Sequence, residues 1–254
     1  MNDIHSILVS LLSNFFWLPI GACCTYIGFY LQVRLPNRKL WHLKDPSRLV
    51  ICAANSTNTN TGVYRRPATG LGQVRAIAFA TRSLYNAYRG KLDIQNILLS
   101  NEPLQERIEH DLLLLGGPKN NDVSRQFLEA LQSEQPAMMK GSTIIWRTNT
   151  VKGQWVDQGA SEYEGQVANR KVLLDYGLIV HSSNPFTSRN RTIVLFAGSH
   201  TYGTVAAAKF FTEDLRKHLG KITRPSRKNY VVLVSSQIVN GYPTKMKVEK
   251  SYAW

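Results

Sequence analysis

TIVLFAGSHTYGTVAAAKFF, residues 192–211, is the stretch that decides the fold. Residues 193–197 form a short, continuous apolar run, the pattern of a strand buried on both faces. Gly198 and Gly203 supply a tight turn, and a run of small residues from Thr204 opens a helix. A strand that feeds a helix through a glycine turn is half of a βαβ unit. Such a turn leaves backbone N–H groups where an anionic ligand can sit.

Two further junctions of this kind lie upstream. RLVICAA (48–54) runs through Cys52 into the polar loop NSTNTNTGVYRRPATGLG, and an amphipathic helix follows over 71–89, with Thr69 as its candidate cap. HDLLLL (110–115) runs directly into GGPKNN (116–121), and a helix follows over 122–133 with Asn121 or Asp122 at its N-cap. Between them, 92–100 reads as a strand and 103–109 as a short helix. After Gly141 the pattern changes to short β-like pieces (142–148, 154–157 and 163–172), read as an antiparallel patch. YGLIVH (176–181) should lie beside 192–197, joined through the Asn184-Pro185 turn, and YVVLVS (230–235) is another buried strand. Residues 243–252 suit an edge strand. The expectation is an α/β, Rossmann-like three-layer domain over 48–254, with a mainly parallel sheet and an antiparallel patch.

The N-terminus carries a different signal. Residues 7–33 contain no charged side chain, and the next residues are basic: Arg34, Arg38, Lys39 and Lys44. A run of this length exceeds the roughly 20 residues that cross a bilayer as a helix, with Pro19 as a kink. The expectation is one transmembrane helix within 1–33 and a basic linker over 34–47 broken by Pro36 and Pro46. The positive flank places the C-terminal domain in the cytoplasm. The net charge of +14, with nine Lys or Arg and one acid after position 215, suits anionic lipid headgroups. Nucleic acid is a weaker partner, because no helix-turn-helix or base-stacking module is recognisable. Three cysteines form no disulfide framework, and no cysteine or histidine spacing asks for a metal.

In open α/β sheets ligands lie beyond the carboxyl ends of the strands. The three loops should therefore meet at one edge, with Asn55, Gly70, Gly72, Gly116, Gly117, Asn120, Asn121, Ser199, His200, Gly203 and Thr204 as candidate ligand-facing residues. Helix N-termini, glycines, amides and hydroxyls together suit a nucleotide or another phosphorylated small molecule. The loops match neither a Walker motif nor G-x-G-x-x-G, and AGSHTYG is not the G-x-S-x-G elbow. His200 is a candidate general base with no carboxylate visibly paired to it, and Glu129, on the helix after GGPKNN, is the other catalytic candidate.

The GGPKNN loop, the DYGLIVHSSNPF turn and the LFAGSHTYGTVAAAKFF segment together resemble an α/β domain of bacterial, actinobacterial-type sequences that stands beside regulatory or membrane segments. The resemblance covers about residues 48–250 and implies a fold but no activity. The strand followed by GGP is more loosely similar to nucleoside deoxyribosyltransferase and TIR-like domains, whose chemistry uses a glutamate on the following helix. That similarity implies Glu129 or Glu134 for the role. Three readings follow: a membrane-anchored ligand-binding or signalling module, an enzyme acting on a nucleotide-type ligand, and a ligand-free membrane scaffold.

Overall fold

The computed structural model describes residues 2–60, 65–89, 91–92, 96–102, 104–222 and 228–254. The central sheet contains β1 (Val50–Ala53), β2 (Ile97–Leu99), β3 (Leu112–Leu115), β4 (Gln166–Ala168), β5 (Lys171–Ser183), β6 (Thr192–Gly198), β7 (Tyr230–Val239) and β8 (Tyr242–Ala253). Their order is β8-β7-β5-β6-β3-β1-β2, with β4 paired on β5. From β6 through β3 and β1 to β2 every pairing is parallel. From β6 outward through β5 and β7 to β8 every pairing is antiparallel. The strand over 92–100 begins only at Ile97, and residues 93–95 lie outside the described residues.

Alternation along the strands sends side chains to two cores. Ile51, Leu113, Leu115, Val194 and Phe196 face α3 (Leu71–Tyr88) and α5 (Thr201–Glu213). Val50, Cys52, Leu112, Leu114 and Leu195 face α4 (Asp122–Ala130) through Val123 and Phe127. Both faces are covered, so these strands carry apolar residues at every position, as a buried parallel strand must. The result is the expected three-layer α/β domain. The antiparallel patch also forms, as the strands Ala137–Lys140, Thr143–Trp146 and Ser161–Tyr163 and the hairpin Asn149–Val151/Gln154–Val156.

The N-terminal region differs from expectation. Helix α1 (Asn2–Phe29) passes through Pro19 and continues by a π-turn (Tyr30–Arg34) into α2 (Leu35–Trp41), with Pro36 just past the π-turn. Among the described residues no helix is long and apolar enough to cross a membrane, so the expected transmembrane span gains no support here. Nor is 34–47 a free linker. Trp41 is fully buried edge-on against Phe196 and Phe211, with Nε1 donating to Ser83 Oγ. Arg34 and Arg38 both donate to the carbonyl of Ala87, satisfying the last turn of α3 at the negative end of its dipole. Backbone N–H groups of Lys44 and Asp45 bind the buried Asp111 carboxylate just before β3.

Candidate functional site

Strands β1, β3 and β6 are neighbours in the parallel half of the sheet, so their carboxyl ends sit side by side. Beyond them opens a crevice of about 310 Å³. Ala54 and Ser56 continue β1, Gly116, Gly117, Lys119 and Asn120 continue β3, and Ser199 and His200 continue β6 into Thr201 and Thr204 of α5. Gly70 and Gln73, at the start of α3, close another side, and Gly141 and Ser142 of the antiparallel patch complete the rim. The three sequence junctions thus meet at one edge.

Of the candidate residues, Gly70, Gly116, Gly117, Asn120, Ser199, His200 and Thr204 line this crevice. Gly72 and Gly203 stand behind its walls. A Cβ at Gly72 would collide with the hydroxyl and carbonyl oxygens of Thr201, so glycine there allows the starts of α3 and α5 to touch. A Cβ at Gly203 would overlap the carbonyl of Tyr176, so α5 packs directly on the backbone of β5.

Asn121 is not part of the lining. It is buried; its Oδ1 accepts from the N–H groups of Val123 and Ser124, and its Nδ2 donates to the carbonyls of Cys52 and Leu115. It is the N-cap of α4 and ties two strand ends together. Asn55 likewise stands outside the lining; its N–H donates to the Asn120 carbonyl and to Ser100 Oγ. Glu129 faces a neighbouring groove with Arg125, 3.7 Å away at the surface, so the glutamate expected on this helix is not brought to the crevice. Thr69 does not cap α3; its hydroxyl donates to the carbonyl of Ala54, and the N-cap is Gly70, with no side-chain cap.

The residue that sequence reading missed is Asp175. It belongs to β5, is completely buried, and accepts from the backbone N–H groups of Tyr176 (2.9 Å), His200 (3.0 Å) and Gly203 (2.5 Å). It is a cap for α5 delivered from another strand. Register explains its reach: Gly177 pairs with Gly198, the last residue of β6, so β5 overshoots β6 and carries Asp175 over the helix start. Asp175 Oδ1 also lies 3.5 Å from His200 Nδ1, so His200 has the carboxylate neighbour that the local sequence does not display. Burial pushes the Asp175 carboxyl upward, against the three N–H donors and His200, which favour the charged form. A signal was available: an acid inside the otherwise apolar run VLLDYGLIV is rarely buried without a purpose. Gly165 roofs the pair, since a Cβ there would meet the His200 ring and Asp175 Oδ1, and its N–H donates to Ser199 Oγ.

Cys52 lies beneath the site with its thiol toward Asn121 Oδ1, and burial pushes it up to about 11, which keeps it an unreactive thiol. Among the described residues no group of three or more His, Cys, Asp or Glu side chains stands together as a metal site would require. No family model and no curated protein sequence matches the chain, so function has to be argued from this geometry.

Proposed function

We propose that the domain is a ligand-binding module that takes a small phosphorylated molecule, of nucleotide or sugar-phosphate type, into the crevice beyond β1, β3 and β6. The observation that carries this reading is the convergence of three strand–loop–helix junctions on one polar cleft that opens to solvent. Lys119 supplies a cation, and hydroxyls of Ser56, Ser142, Ser199, Thr201 and Thr204 supply paired donor–acceptor groups. A thermal-shift screen of the full chain in mild detergent tests it: nucleotides or sugar phosphates should raise the melting temperature, and a flat response to every phosphorylated compound would leave only the scaffold reading.

A second reading, catalysis on such a ligand, is favoured by the Asp175–His200 pair. The carboxylate stands 3.5 Å from Nδ1, which has no hydrogen-bond partner among the described residues, so a small shift of the ring would pair the two and leave Nε2 as the ring's remaining proton acceptor. Product formation that is lost in His200→Ala while ligand binding survives would support the enzyme.

The same proposal assigns α1 to a membrane surface, with the domain on the cytoplasmic side. Phe15, Trp17, Leu18, Ile20, Tyr26 and Ile27 of α1 are all exposed, large apolar side chains on more than one side of the helix that would be covered at a membrane. Fractionation of the full chain with membranes, resistant to high salt, is the expected result; release by salt alone would refute it.

A further inference from the structure

Resting on that reading of the crevice, we infer that the anionic group of the ligand sits at the N-terminus of α3, between Gln73 and Lys119, and not at the N-terminus of α5. The two helices start side by side, with Gly72 against Thr201, and each would offer the positive end of a dipole to the crevice. They are not equivalent. At α5 the Asp175 carboxylate already accepts from the N–H groups of His200 and Gly203, so the helix end is capped by a fixed negative charge. A second anion there would lie close to a buried carboxylate in a poorly screened site, which is repulsive.

At α3 the cap is Gly70, no side chain accepts from the first turn, and the 18-residue helix has no acid in that turn. Among the described residues no acceptor meets the N–H groups of Leu71 and Gly72. Lys119 is exposed on the facing loop and, among the described residues, forms no ion pair.

The independent sign of a ligand is Gln73. It lines the crevice, is only 7 % exposed, and its Oε1 is buried without a hydrogen-bond partner. A buried amide left unpaired is unfavourable, so an occupant that completes it is expected. The carboxamide both donates and accepts, which fits an oxygen-rich group carrying both acceptors and hydroxyls. The described lining holds no carboxylate and no Phe, Tyr or Trp; its one ring is the His200 imidazole, and five of its side chains are hydroxyls. The ligand class that matches is a phosphorylated polyol, its phosphate beside Gly70, Gln73 and Lys119 at the α3 end of the crevice and its hydroxyls toward Ser142, Ser199 and Thr201.

The test uses the isotope-labelled full chain in detergent micelles, with inorganic phosphate and ribose 5-phosphate as probes and backbone amide shifts as the readout. Both probes should move the amides of Leu71, Gly72 and Gln73 most. Ribose 5-phosphate should bind tighter than phosphate, Lys119→Ala should weaken it about tenfold, and Lys119→Glu should abolish it. Lys119 is exposed, so these variants keep the fold; Gln73→Met, with an unchanged melting temperature, should weaken binding as well. Shifts centred on Thr201 and Tyr202 and unaffected by the Lys119 variants would overturn this assignment and leave the crevice reading standing. No response to either probe would overturn the assignment too, and the crevice reading would fall with it only if nucleosides and nucleotides also leave every crevice amide in place.

Discussion

Replacing Asp175 by Asn probes the centre of the site directly. The substitution preserves shape and removes one charge from a position with no solvent contact. Asp175 Oδ1 accepts from two N–H groups and Oδ2 from one. The amide of an Asn can keep the first pair only by pointing its own N–H₂ at the N–H of Gly203, which leaves two donors facing each other. One charge-assisted bond to a helix N-terminus is lost, worth about 1.5–3 kcal/mol, and the Gly203 N–H is buried without a partner. The favourable interaction of the carboxylate with the α5 dipole, up to about 2 kcal/mol in a buried geometry, also goes. Against these stands the relief of no longer burying a charge, the effect that pushes the Asp175 carboxyl upward. The net expectation is a loss of about 2–3 kcal/mol at pH 7, or roughly 5–10 °C in melting temperature for a chain of this size. Equilibrium urea denaturation of wild type and variant measures it. An unchanged midpoint would mean that Asp175 does not cap α5, and the argument that drives the ligand anion toward α3 would fail with it.

Other expectations follow from the same contacts. His181 is buried with its ring nitrogens facing the carbonyls of Lys228 and Trp41, and burial holds it down to about 4, below the ordinary 6.5. Between those values the unfolded chain binds a proton that the folded one does not, so stability falls as pH drops. About 2 kcal/mol should be lost between pH 7 and pH 5, with a shallower slope in His181→Gln, read by denaturation at each pH. Trp41→Ala removes a buried indole and should cost about 3–5 kcal/mol, with proteolysis at 34–47 becoming fast. Gly72→Ala drives a methyl into both the hydroxyl and the carbonyl of Thr201, so Thr201→Ala should not rescue it; a loss of about 1–3 kcal/mol and of ligand binding is expected in calorimetry. Native thiol titration should find Cys23 and Cys24 fast and Cys52 slow, in line with their exposure.

The parallel half of the molecule was legible because its signals are local. A β-branched run, a glycine pair and a helix start lie within twenty residues of each other, and parallel order then places the three loops on one edge. What escaped had a non-local cause. Asp175 reaches His200 only through the register of β5 on β6, which no local pattern fixes. Gln73 points into the crevice because of where α3 begins, at Gly70, and helix ends are the least certain part of a periodic pattern. Asn121 was read as ligand-facing because an amide after a glycine turn serves an N-cap and a binding loop equally well; its burial decides for the cap. Arg34 and Arg38 looked like a membrane flank, and the fold engages both at the last turn of α3.

That engagement sets a direction for the whole molecule. Arg34 and Arg38 meet the C-terminal end of α3, while the crevice lies at its N-terminal end. Asp111, which holds Lys44 and Asp45, likewise precedes β3, whereas the crevice follows it. The chain therefore enters the domain at one pole and opens the crevice at the other, separated by α3, about 27 Å at 1.5 Å per residue. The crevice faces away from the end where α1 joins the domain, so attachment through α1 would fix the protein's position without covering the crevice.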